Sequence, residues 1–185
     1  FLTALVAAGI FTLLSLTVLF RITAIEAADT SHYTADQITE ASGLQTGKNL
    51  FLADRDAAAR QIERLLPYAE SVQVSIGLPD KIRISVREAE PAIVILQDEK
   101  YYLLSSGYKL LETAEQLPEI GSPVVTGAGM TEPEPGKTAT FGRDGLQDVL
   151  QTLLDRLDDS GLSGVTQIDM TEMYALKLQF GDKLT

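Results

Sequence analysis

Residues 70–88, ESVQVSIGLPDKIRISVRE, read as two strands joined by a turn. Val72, Val74, Ile76 and Leu78 alternate with Gln73, Ser75 and Gly77. After Pro79-Asp80, Ile82, Ile84 and Val86 alternate with Arg83, Ser85 and Arg87. Successive side chains on a strand point to opposite faces, so each arm carries one apolar and one polar face. The pattern predicts an antiparallel hairpin, wet on one side and in need of a cover on the other.

The cover is encoded just upstream. Thr34 followed by Gln37 makes a capping-box pattern, Tyr33 and Ile38 sit at hydrophobic-staple spacing, and Gly43 offers a left-handed stop. These signals predict a short helix. Leu44 to Leu52 reads as a connecting loop in which Leu50 and Phe51 look buried. Asp54 then caps a second helix whose apolar face is Ala58, Ile62 and Leu65, and Pro67 ends it. With a strand near Arg21–Ala27, residues 21–90 form a compact β-α-α-β-β unit.

Past Pro91 the pattern changes. Ala92–Leu96 is an apolar run, Asp98-Glu99 turns it into Tyr101–Leu104, and Ser105-Ser106-Gly107 leads to Tyr108–Leu111. These are expected to be meander strands. Leu117 to Gly136, rich in Pro and Gly, reads as loop, exposed at Glu132-Pro133-Glu134-Pro135. Asp144 is expected to cap a third, amphipathic helix with Leu146, Val149, Leu150, Leu153, Leu154 and Leu157 on one face, stopped by Gly161. Val165–Asp169 and Tyr174–Phe180 follow as strands. The closing residues 181–185 read as a turn opening a further strand, so this second, β-rich domain (91–185) is expected to continue. The fold class is therefore α+β.

Ahead of all this lies Phe1–Phe20, which carries no charge. An apolar helix of this length is just sufficient to cross a ~30 Å hydrocarbon core. Residues 1–20 are therefore expected to form a transmembrane helix. A cleaved signal peptide fits less well, because the stretch is long and Glu26 spoils a cut after Ala28. A buried core helix is the third reading. Phe1 is not an initiator Met, so a cytoplasmic segment is expected before it, and the positive-inside rule cannot be applied on that side.

The chain of 185 residues has 26 acidic against 15 basic residues, a net charge of −11. Such a surface repels nucleic acid and anionic headgroups. The lack of cysteine excludes thiol catalysis, thiolate metal sites and disulfides. Gly136-Lys137-Thr138 lacks the upstream glycine of a phosphate loop, with Thr131 in its place, and Gly43 to Lys48 is one residue short. His32 is the one histidine, in a pre-helix loop, without a G-x-S-x-G partner motif. The acidic pairs Glu88/Glu90, Glu132/Glu134 and Asp158/Asp159 do not converge on one cleft, and no calcium-loop pattern occurs. No catalytic, cofactor or metal residues are assigned. What remains is binding. The Tyr174–Phe180 strand, with Tyr174, Leu176, Leu178 and Phe180 on one face, is the candidate for partner binding by strand addition, if it is an edge rather than an inner strand.

The order of Ile25-x-Ala27, Tyr33-Thr34-Ala35-Asp36-Gln37-Ile38, Ser42-Gly43-Leu44, Gly47-Lys48-Asn49-Leu50-Phe51, Leu66-Pro67-Tyr68, Glu70-Ser71-Val72, Ile82-x-Ile84-x-Val86-x-Glu88, Pro91-Ala92 and Tyr101-Tyr102-Leu103 resembles the bacterial cell-division family FtsQ/DivIB. Residues up to Glu88 resemble its POTRA domain and the remainder its β domain. Asp29-Thr30 stands where the family usually has Gly-Asn, and the family's cytoplasmic tail and final strands are absent. The resemblance implies a bitopic membrane protein with its bulk outside the cytoplasm, a non-enzymatic scaffold at the division septum. Its implied partners are small single-span coiled-coil division proteins of the FtsB/DivIC and FtsL kind, through which it influences septal peptidoglycan synthesis. The alternatives are a POTRA-bearing secretion or membrane-assembly factor and, from another class, an exported cell-wall hydrolase.

Overall fold

The computed structural model describes residues 20–161, 164–172 and 175–181, together with Thr3, Val6, Ala8 and Gly9. The transmembrane reading of residues 1–20 falls almost wholly outside the described residues. Among those described, no helix is long and apolar enough to cross a membrane. The chain divides into two compact units, Phe1–Glu88 and Ala89–Thr185.

Over residues 20–88 the first unit is a three-stranded sheet with two helices. Strands β1 (Ala24–Ala27), β2 (Ala69–Gly77) and β3 (Lys81–Glu88) lie in the order β1-β3-β2, with β1 parallel and β2 antiparallel to β3. Val72 faces Val86, Val74 faces Ile84 and Ile76 faces Ile82, so the two alternating patterns coincide in register. Leu78 departs from the expectation: it lies in the turn beyond β2 and is 69 % exposed.

Helix α1 (Ala35–Ala41) begins at the Thr34 capping box. The Gln37 amide donates to the Thr34 hydroxyl at 3.3 Å, and the Thr34 amide donates to Gln37 Oε1 at 2.9 Å. Asp29 reinforces this start, its Oδ1 accepting from the Ala35 amide at 2.7 Å. A carboxylate here also opposes the positive end of the helix. Gly43, at φ 66°, turns the chain out of the helix. Helix α2 (Arg55–Leu65) is capped by Asp54, which accepts from the Ala57 amide.

Ile38, Ala41, Ala58 and Ile62 of the helices, Val74, Ile82 and Ile84 of the sheet, and Ile22 and Leu50 form the core. Two expected core residues stay outside it. Leu65 is 54 % exposed, and Leu66, in the cap that leaves the helix axis, packs on the core in its place. Phe51 is 51 % exposed.

The second unit has a six-stranded sheet in the order β11-β10-β7-β4-β5-β6. Strands β4 (Ile93–Gln97), β5 (Lys100–Leu104) and β6 (Leu110–Ala114) form the expected meander, with Asp98 and Glu99 both at positive φ in its first turn. Strand β7 (Val124–Thr126) pairs in parallel with both β4 and β10 (Val165–Asp169), and β11 (Lys177–Phe180) closes antiparallel on β10. The segment 117–136, expected to be all loop, thus contributes an inner strand of the sheet. It also supplies β8 (Met130–Thr131), which pairs with β9 (Thr140–Phe141). Glu132, Glu134 and Pro135 are exposed as expected.

Helix α3 (Leu146–Ser160) lays Leu146 and Leu150 into a core of Ile93, Ile95, Leu104, Val125, Ile168 and Met170. Val149, Leu153, Leu154 and Leu157 pack around the margin of that core. Its chain runs out at Gly161, φ 64°.

Candidate functional site

β11 lies at one margin of the six-stranded sheet, pairing among the described residues only with β10. A margin strand turns one row of main-chain N–H and C=O groups away from its neighbour, a template for an added strand. The four side chains expected to form its binding face divide. Leu176 and Leu178 are partly buried against the unit's own core. Phe180 is 43 % exposed. Tyr174 lies outside the described residues. Among the described residues the accessible features are therefore the strand's outer edge, Lys177 and Gln179 on its far face, and Phe180 near its end.

Beside this edge, Leu176 joins Val149, Leu153, Thr152, Asp148 and Arg156 of α3 around a shallow, largely apolar groove of about 340 Å³. The expected periodicity of α3 explains it: Val149 and Leu153 are one turn apart on the rim of the core-facing stripe, half covered rather than enclosed.

The loops that follow β7 and β10, the latter being the strand on which β11 pairs, are tied together by a residue the sequence did not single out. Arg143 sends its guanidinium to three main-chain carbonyls: Gly127, just after β7, and Met170 (2.6 Å) and Thr171 (3.0 Å), just after β10. A planar guanidinium with several donors can tie such loops together where an ammonium cannot. Asp169 stabilises the same corner. Its Oδ1 accepts from the Thr171 hydroxyl at 2.6 Å and amide at 2.9 Å, and these bonds, helped by nearby Lys177, hold its carboxyl below the ordinary range. Gly127, at φ 71°, is packed so closely that a Cβ there would lie 2.5 Å from the Thr171 nitrogen.

The remaining candidates resolve into structural contacts. Lys137 pairs with Glu134 at 2.6 Å, and the Gly136 amide donates to the Leu110 carbonyl, so Gly136-Lys137-Thr138 is a turn laid against the start of β6. His32 stacks on Tyr68 with ring centroids 3.7 Å apart, and its Nδ1 lies 3.2 Å from Glu88. Glu88 also accepts the amides of Ser31 and His32 at 3.1 and 2.9 Å. Partial burial alone would raise the Glu88 pKa, but hydrogen bonds from Thr30 and His32 outweigh it and pull it down to about 2. This pins the end of β3 to the loop before α1. His32 thus lies in the pre-helix loop, as its sequence position indicated, and there takes part in a structural contact with Tyr68 and Glu88. No group of His, Asp and Glu among the described residues is arranged to hold a metal ion.

Comparison with known proteins bears on the first unit and on the family of the chain. Residues 20–89 match the family model "POTRA domain, FtsQ-type". The chain is 32 % identical over 130 residues to the cell division protein FtsQ of Corynebacterium glutamicum, covering 69 % of this chain and 57 % of that one. It is 28 % identical over 162 residues to FtsQ of Koribacter versatilis, covering 85 % and 45 %. It is 30 % identical over 98 residues to the cell division protein DivIB of Clostridium botulinum, covering 53 % and 38 %. The chain spans about half the length of the first two of these relatives.

Proposed function

The chain belongs to the FtsQ/DivIB family of cell-division proteins, and from that premise we propose that it is a non-enzymatic, membrane-anchored scaffold of the bacterial division septum. Residues 1–20 form its single transmembrane helix, residues 21–90 its POTRA domain and residues 91–185 its β domain. The bulk of the chain lies outside the cytoplasm. It joins other single-span division proteins, small coiled-coil proteins of the FtsB/DivIC and FtsL kind, and through them influences septal peptidoglycan synthesis.

The observation that carries this reading is the FtsQ-type POTRA match at residues 20–89, directly behind twenty uncharged residues. Partner binding is drawn to β11, where the sheet margin and Phe180 are accessible. An extended segment of a partner added there would gain main-chain hydrogen bonds, and Phe180 with the groove along α3 would supply side-chain selectivity.

A fluorescent fusion of the complete protein is expected to gather at midcell as constriction begins. Uniform envelope fluorescence would refute the septal role and favour a secretion or assembly factor. Protease added outside spheroplasts is expected to digest the residues after Arg21; protection of those residues would reverse the proposed topology.

A further inference from the structure

One pole of the first unit is unusually apolar for a surface. Phe51 is 51 % exposed, Leu52 82 % and Leu78 69 %. They sit on two different loops, and both loops are bonded to the same entry segment of the chain. The Leu50 amide donates to the Phe20 carbonyl (2.8 Å), the Ile22 amide to the Lys48 carbonyl (2.9 Å), and the Gly47 amide to the Ile22 carbonyl (2.7 Å). The Thr23 amide donates to the Asp80 carbonyl, in the turn that carries Leu78 (2.8 Å). Phe51 packs edge-on against Phe20, with ring centroids 5.1 Å apart. Both loops therefore surround the point where the chain leaves the uncharged stretch 1–20.

The first loop is built, not slack. Asn49 Oδ1 accepts from the amides of Phe51 (2.9 Å) and Leu52 (3.2 Å), fixing the turn on which these two side chains stand. Side-chain-to-backbone turns of this kind hold a loop without a following helix or strand. Exposed apolar residues gathered at one pole mark an interaction surface rather than ordinary scatter.

We infer that this pole is seated in the membrane surface, with Phe51, Leu52 and Leu78 inserted at the boundary between headgroups and acyl chains. The inference rests on the reading of residues 1–20 as a membrane span. That reading selects the occupant: a chain emerging from hydrocarbon at Phe20 brings Phe51, in contact with Phe20, to the bilayer surface. Phenylalanine and leucine on an ordered element suit shallow insertion. The chain carries a net charge of −11, which anionic headgroups repel, so seating is apolar and requires no anionic lipid. Its effect is to set the tilt of the POTRA unit on the membrane.

The absence of cysteine gives a clean test. Leu52→Cys and Leu78→Cys, and the equally apolar, exposed Leu65→Cys at the far end of α2, each carry one environment-sensitive fluorophore. The full chain is reconstituted into phosphatidylcholine vesicles with brominated acyl chains and floated after alkaline extraction. The expected result is co-flotation of the protein, with blue-shifted emission at 52 and 78 and quenching severalfold greater than at 65. A chain that floats but is quenched no more at 52 and 78 than at 65 overturns the seating and leaves the anchor standing. A chain that does not float refutes the span itself, and the seating with it.

Discussion

Replacing Arg143 by Met keeps the aliphatic stem but removes the guanidinium that bonds the carbonyls of Gly127, Met170 and Thr171. Hydrogen bonds involving a charged group contribute about 1.5–3 kcal/mol each. The three do not add, because they share one donor group and water can reach the half-buried side chain. The expected loss is about 2–4 kcal/mol. In a unit of this size about 1 kcal/mol moves the midpoint by ~4–8 °C, so thermal unfolding of the second unit should fall by on the order of 10 °C. The loss should also be local. Hydrogen exchange in the full chain should show lost protection at Ile168, Met170 and Leu178, on β10, just after it and on β11, while Ala69–Glu88 is unchanged. Arg143→Lys should recover only part, since an ammonium cannot reproduce the fork. A loss below ~0.5 kcal/mol, the scale of ordinary surface changes, would refute the role assigned to Arg143. So would an equal loss of protection in both units.

Gly127→Ala should destabilise the same corner by at least ~2 kcal/mol, from its φ of 71° and a Cβ 2.5 Å from the Thr171 nitrogen; a chemical-denaturation midpoint equal to that of the parent would contradict the packing. Ile62→Ala should cost ~2–5 kcal/mol, whereas Leu65→Ala should stay within ~0.5 kcal/mol, and comparable losses would show that α2 is rotated from the orientation described. Glu88 has a folded pKa of about 2, below the ordinary 4.5. Its contribution is therefore fully present above about pH 4.5 and is lost as pH falls toward 2. Urea titrations across that window should show a pH-dependent decline for the first unit that is reduced in Glu88→Gln, and an unchanged slope would remove Glu88 from the account.

The hairpin was legible because β2 and β3 alternate strictly and their apolar residues pair across the strands. The start of α1 was legible because Thr34 and Gln37 satisfy each other's backbone within one turn. Both are local signals. β7 was not legible: three residues between Pro123 and Gly127 carry no period, and their strand character comes from parallel pairing to β4 and β10, distant in sequence. Leu65 and Phe51 misled for a related reason. Helical spacing places Leu65 near the apolar face, but the chain leaves the helix there and Leu66 takes the contact. In a loop no periodicity tells which of Leu50 and Phe51 turns inward. Arg143 was invisible because its acceptors are main-chain carbonyls of other elements. At the β11 site, the strand was foreseen, but not that Leu176 and Leu178 would face the unit's own core.

The most direct test of the scaffold reading is in-cell photo-crosslinking from β11. A photoreactive residue replacing Gln179 or Phe180 is compared with one replacing Glu112 on β6, at the opposite margin of the sheet. The account predicts that positions 179 and 180 capture small single-span division proteins in dividing cells and that position 112 does not. Equal capture from position 112 would contradict it. Crosslinks from 179 and 180 only to a further strand of the same chain would contradict it as directly.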